Sequence, residues 1–258
     1  MNGRKDSKRS ARPSARRRAE PEQLALFKQR GGKRRGAGRP RKGYRAGSPH
    51  KKRPALKARH PVHVTLRVVA AVGSLRKREA YHAIRRATLT AAAHGIVRIV
   101  HASIQRTHLH LLVEAKDKKA LAVGMQSFQI SAARHLNAAV GKVRREPPRR
   151  GTVFPDRYHA EIITSPTQAR RALAYVLANF RRHGEDRAAP MDEWKVDLFS
   201  SAMAFPGWAE YGEDAFLWRA PPTYDPLWVW RPRTWLLAEG WKKVSPTISC
   251  REVPASRA

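Results

Sequence analysis

Downstream of residue 60 the apolar positions fall into regular periods, and upstream of it large apolar residues are scarce. Val62 to Val69 alternates inward and outward residues, the two-residue period of a half-buried strand. Lys77 to His94 shifts to helical spacing, with Ala80, Ile84, Ala87 and Leu89 on the inward side. Strand-like runs follow over Ile96 to Ile104 and Thr107 to Ala115, then a helical run from Lys118 to Val140. A loop rich in Pro and Arg leads to a strand over Thr152 to Ile163. The last helix covers residues 168 to 183, opened by Ser165 as N-cap with Pro166 in the first turn.

The order βαββαβα predicts an α+β fold of ferredoxin-like architecture. In it an antiparallel βαββαβ sheet carries two helices on one face and the added last helix on the other. Three segments follow from composition: an arm over 1–58, a globular domain over 59–186 and an extension over 187–258. All seven tryptophans lie in the extension, namely Trp194, Trp208, Trp218, Trp228, Trp230, Trp235 and Trp241. The simpler reading of them is that they glue a small extension onto the main domain, since a small module needs large side chains for its core. Because Arg231, Arg233, Lys242 and Lys243 are interleaved, stacking of unpaired bases is the other.

Charge changes the picture more than length does. The 258 residues carry a formal +33; residues 1 to 60 hold 22 Lys and Arg against 3 Asp and Glu, a net +19, which leaves +14 on the other 198. Both parts call for a polyanionic partner. No apolar run is long enough to span a bilayer, and no signal-peptide pattern appears, so nucleic acid is the expected partner rather than a membrane. Cys250 is the only cysteine. A disulfide within the chain and a cysteine-based zinc site are thereby excluded, which fits a reducing bacterial cytoplasm and a place at the nucleoid.

The arm is too poor in large apolar residues to offset its ordering entropy and reads as disordered. Within it, Gly38-Arg39-Pro40-Arg41-Lys42-Gly43 resembles an AT-hook, which would place Arg39, Arg41 and Lys42 in an AT-rich minor groove. A phosphate-binding tail without groove preference explains the same charges. The apolar island Gln23-Leu24-Ala25-Leu26-Phe27 resembles a sliding-clamp binding peptide, with Gln23, Leu24, Leu26 and Phe27 as the contacting residues.

Candidate chemistry begins at Arg106-Thr107-His108-Leu109-His110. On a strand, His108 and His110 project from one face while Leu109, Leu111 and Val113 project from the other. Two imidazoles so spaced form half of a site for a divalent ion. In the last helix Leu173, Val176, Leu177 and Phe180 make an apolar stripe, and Arg171, Tyr175, Asn179 and Arg182 make a polar one. A phenol beside a metal-bound phosphate can attack phosphorus, and a neighbouring amide oxygen can complete the coordination.

Taken in order, these blocks resemble the HUH single-tyrosine transposases, in particular the REP-associated tyrosine transposases and their IS200-like relatives. The resemblance runs from His60-Pro61-Val62-His63-Val64-Thr65-Leu66-Arg67, through His108 and His110, to Gly151-Thr152-Val153-Phe154 with Asp156-Arg157-Tyr158-His159, and ends in the tyrosine helix. It implies a DNA transposase that is a metal-dependent, single-strand endonuclease and transesterase. In this reading His108, His110 and Asn179 hold Mg²⁺ or Mn²⁺, and Tyr175 takes the 5′ phosphate of a single-stranded, hairpin-bearing DNA. Relatives include dimers that share active sites as well as monomers, so a homodimer stays open. The chain departs from the pattern at Phe180, where relatives often have Pro after the Asn, and at Phe154-Pro155, where they often have Trp-Gln.

Arg67 and Arg106 are candidate phosphate clamps, joined by Arg171 and Arg182 on the tyrosine helix, with Arg144, Arg145 and the Pro147 to Arg150 loop as an outer rim. Glu114 reads as a solvated strand end and Asp156 as a turn residue. His63, His101, His159 and His183 receive no role. A noncatalytic DNA- or RNA-binding protein on the same fold is the main alternative. A 2H-type phosphodiesterase, suggested by His63-Val64-Thr65, lacks its second motif because His110 stands where a hydroxyl is needed.

Overall fold

The alternating and helical runs form β1 (Val62–Arg67), α1 (Arg78–His94), β2 (Val97–Ile104), β3 (His108–Ala115), α2 (Lys118–Arg144), β4 (His159–Ile162) and α3 (Pro166–Arg182), followed by a short α4 (Trp235–Ala238). The computed structural model describes residues 53–185, 196–210, 222 and 224–254. Gln23, Leu24, Leu26 and Phe27 of the clamp-like peptide, and Arg39, Arg41 and Lys42 of the AT-hook-like one, lie outside these residues, as do Trp194 and Trp218.

Strand order is β2-β3-β1-β4 with every neighbouring pair antiparallel, the ferredoxin-like arrangement that the element order predicts. Alternation sets the two faces of the sheet against two cores. Val62, Val64 and Leu66 of β1 and Leu109, Leu111 and Val113 of β3 pack with Ile84 of α1 and Met125 and Phe128 of α2. Helix α2 approaches the sheet closely because Gly124 has no side chain: a Cβ there would lie 2.4 Å from Val97. Val100 and Leu112, from the other face, join Leu173, Val176 and Leu177 of α3. A register shift between Ile99 and His101 is a bulge that lets Val100 and His101 both serve this second face.

Four elements differ from the sequence reading. The fourth strand is confined to His159–Ile162 instead of starting at Thr152, because Gly151 takes φ 106° and Pro155 has no N–H to give a ladder. β1 stops at Arg67; beyond it the N–H of Val68 turns to Thr107 O and that of Val69 to Val153 O, each at 2.9 Å. Helix α2 runs past Val140 to Arg144 and stops at Arg145 in the left-handed region, φ 58°. Leu89 is only half buried, and Thr88 and Ala91 fill the inward side of α1 instead.

The chain beyond α3 returns along the outer edge of β2. Ile104 N donates to Phe199 O, Ser201 N to Ala102 O and Trp230 N to Ile99 O, each at 2.8 Å. Asp197, fully buried, locks this return: Arg76 gives it two hydrogen bonds at 2.9 and 2.8 Å and donates a third to Ile104 O at 3.0 Å. Glu114 overturns its reading as a solvated end. It is buried and accepts from the backbone N–H of Arg233 and of Thr234 and from the Thr234 hydroxyl at 2.7–3.0 Å, pinning the extension to the end of β3. The buried tryptophans pack the extension onto the main domain, as expected: Trp208 and Trp241 join Phe205, Leu237 and Ile248 over α3. Trp228 and Trp235 stay half exposed.

Candidate active site

Helix α3 positions the phenol. Ser165 caps it by accepting the N–H of Gln168 at 3.3 Å, and Pro166 sits in the first turn. The apolar stripe Leu173, Val176, Leu177 and Phe180 is buried as its spacing predicts, which presses the helix onto the imidazole face of the sheet. Tyr175 is half buried there. Its ring centroid lies 5.0 Å from that of His110, with the planes at 85°, and 5.7 Å from that of His63.

The strand spacing brings His108 and His110 together at 4.7 Å between centroids. His110 is nearly enclosed, and its Nδ1 is approached by His63 Nε2 at 3.1 Å and by Thr65 Oγ1 at 3.2 Å. Sheet register explains the second contact, since Thr65 stands directly across from His110. On the other side of His108 the ring of His183, at the C-terminal end of α3, lies 5.6 Å away edge-on. Four imidazoles and one phenol thus share one patch. Sequence reasoning gave His63 and His183 no role. The signal for His63 was its alternation with Val62 and Val64, which puts it on the face of Thr65 and the histidine pair. His183 carried none, because contact across α3 and β3 is tertiary.

Asn179 corrects the polar-stripe reading. It is wholly buried, one residue after Ala178 leaves helical geometry at φ −113°, ψ 15°. Neither its amide oxygen nor its amide nitrogen has a hydrogen-bond partner among the described residues. A buried amide with both ends unpaired is costly.

Burial, followed by the positive charges of His183 and Arg67, pulls the His108 pKa down from 6.5 to about 4. The ring is therefore neutral near pH 7, the form in which imidazole binds metals. Arg67 stands across from His108 on β1 with its side chain exposed. Arg171 and Arg182 are also exposed on α3. Arg106 is exposed too, but both of its guanidinium contacts go to Glu185. Arg170 is bound to Glu252, and Arg181 donates to Cys250 O, so these two serve the fold.

Among the described residues no group of three or more His, Cys, Asp or Glu could hold a metal ion. Of the three residues read from the sequence as metal ligands, His108 and His110 share the patch, and Asn179 is buried on α3. Imidazole nitrogens and an amide oxygen unsatisfied among the described residues are donor types that suit a divalent ion completed by its substrate.

Residues 59–179 match the family model described as transposase IS200 like. The matched stretch, a little under half of the chain, is similar to the IS200-like transposases. The matched stretch contains all of β1 to β4 and both Tyr175 and Asn179. Among solved structures the chain is similar to one of a REP-associated tyrosine transposase bound to a REP hairpin, at 13% identity and TM-score 0.43, covering 72% of this chain and 99% of that one. It is also similar to a Deinococcus radiodurans R1 protein described as a transposase, at 14% identity and TM-score 0.34, covering 56% and 99%. No curated protein matches the chain. No helix among the described residues is long and apolar enough to cross a membrane.

Proposed function

We propose that the matched stretch cuts and rejoins single-stranded DNA through a covalent tyrosine intermediate, with a hairpin-bearing strand as substrate. The observation that carries this reading is the convergence of Tyr175 on the paired imidazoles, at 5.0 Å from His110. The match to the IS200-like family model supports a transposase role, and the net basic charge supports a DNA partner.

His108, His110 and Asn179 would hold the divalent ion, Mg²⁺ or Mn²⁺. When bound, such an ion polarises the scissile phosphate and offsets charge that develops on its oxygens. The phenolic oxygen of Tyr175 forms a bond to phosphorus as the P–O3′ bond breaks. The phenolic proton passes to solvent, and the departing 3′ oxygen takes one up. One phosphodiester replaces another, so rejoining needs no nucleotide cofactor. Arg67, Arg171 and Arg182, exposed around the patch, would orient the strand through its phosphates.

Incubation with Mn²⁺ and a single-stranded hairpin oligonucleotide should give a covalent adduct that migrates above the free protein on a denaturing gel. Tyr175→Phe should abolish it, and an undiminished adduct in that variant would defeat the assignment. A chain that binds DNA but forms no adduct would instead match the noncatalytic reading.

A further inference from the structure

Trp208 and Trp241 supply the extension with its core, yet Trp235 is 51% exposed. Leu236 and Leu237, which follow it on α4, are buried over α3, and Thr234 before it is held by Glu114 through both its N–H and its hydroxyl. Gluing the extension in place therefore does not need this ring. The ring is fixed all the same, by the 3₁₀ turn Gly240–Lys243. A Cβ on Gly240 would lie 2.8, 2.9 and 3.2 Å from Cζ3, Cε3 and Cη2 of Trp235, three adjoining atoms of its six-membered ring. In the plane of the ring at most two of them could be so near, so Gly240 stands over the face. Lys243 Nζ also lies over the ring, 5.2 Å from its centroid. Residues i and i+3 eclipse in a 3₁₀ turn, which brings Gly240 and Lys243 to the same face. The exposed half of the indole is then the opposite face, turned to solvent on a backbone anchored at both ends.

Charge around the ring selects what can cover it. From Trp228 to Val244 the chain carries Arg231, Arg233, Lys242 and Lys243 against Glu239 alone, and all four cations are exposed. Glu239 pairs with Lys242 at 2.9 Å, which leaves Arg231, Arg233 and Lys243 beside the platform. A second copy of a chain with a formal charge of +33 would bring like charge to them, whereas a polyanion would neutralise them. Within a duplex each base face is already covered by its neighbour, so an open indole face selects unpaired bases. We propose that Trp235 is a stacking platform for a base of single-stranded DNA, with Lys243, Arg233 and Arg231 meeting the flanking phosphates. A ring already immobilised against Gly240 loses little freedom when a base stacks on it. The assignment rests on DNA as the partner, as in the proposed function, and not on strand cleavage.

The full chain in EDTA, which withholds any divalent ion, can be titrated into fluorescently labelled oligothymidylate, an abasic strand of the same length and a duplex, with anisotropy as the readout. The wild type should bind oligothymidylate more tightly than the abasic strand. Trp235→Ala should weaken oligothymidylate binding about 5- to 150-fold, the worth of one stacked base. Its affinities for the abasic strand and the duplex should stay at the wild-type level. Trp235→Phe, which keeps a ring face, should recover most of the loss. Unchanged oligothymidylate affinity in Trp235→Ala would overturn the proposal, and so would an equal loss on all three ligands, which marks a structural role. Self-association without DNA that Trp235→Ala abolishes in sedimentation velocity would show a docking patch for a second copy and overturn it too. Adduct formation with binding indifferent to Trp235 would keep the cleavage reading and sink this one; binding that depends on Trp235 without any adduct would do the reverse.

Discussion

Replacing Asn179 by Leu should make the protein more stable and less able to hold metal. The two side chains share one branched outline, so the exchange removes two polar atoms without opening a cavity. Both atoms are buried and have no partner among the described residues. An unsatisfied buried polar group costs about 1–3 kcal/mol, whereas an apolar group of the same shape restores packing. Some of the gain is lost to the larger methyl groups. A net rise of about 2 kcal/mol is expected, or roughly 4–8 °C in melting temperature for a chain of this size. Urea denaturation in EDTA measures it. In Mn²⁺ at about 100 times the wild-type Kd the order should reverse, because ligand binding then stabilises only the wild type, by about 2.7 kcal/mol. A Leu variant that is less stable in EDTA, or that keeps wild-type Mn²⁺ affinity, would refute the idea that this amide is held unpaired for a ligand.

The bond between Arg76 and Asp197 should behave as a buried pair: Asp197→Ala strands a buried guanidinium and should cost about 3–5 kcal/mol in chemical denaturation. The double variant Arg76→Met with Asp197→Leu should cost less than Asp197→Ala alone, and additive losses would argue against the pairing. His101 should make stability depend on pH, because burial lowers its pKa from 6.5 to about 4 in the folded protein. The unfolded chain then takes up the proton first, so this share of stability is intact above pH 6.5, declines as pH falls, and is lost by pH 4. The full loss is about 3 kcal/mol, and His101→Gln should flatten the pH profile of the urea midpoint over that window.

Periodicity alone recovered most of the fold because each strand and helix buries a contiguous face. The limits of β4 were misjudged because Thr152, Val153 and Phe154 have strand-like side chains, while Gly151 and Pro155 control the backbone between them. At the site, His108, His110 and Tyr175 could be read from spacing, since their faces follow from local geometry. Asn179 could not be read correctly by the same rule. Polarity groups it with Arg171 and Arg182, but the kink at Ala178 turns it into the interior. Glu114 was misread for a related reason: the backbone N–H groups that satisfy it, on Arg233 and Thr234, lie more than a hundred residues further along the chain.

An open sheet invites a neighbouring molecule to add a strand at either flank. At the β2 flank this chain has already taken up Ile99, Ala102 and Ile104 with its own later residues. Self-templating there is blocked before any second copy arrives. For a cationic protein that meets long polyanions capable of crowding many copies together, such occupancy favours solubility over stacking. Any pairing of copies through shared strands would have to enter from the opposite side of the sheet.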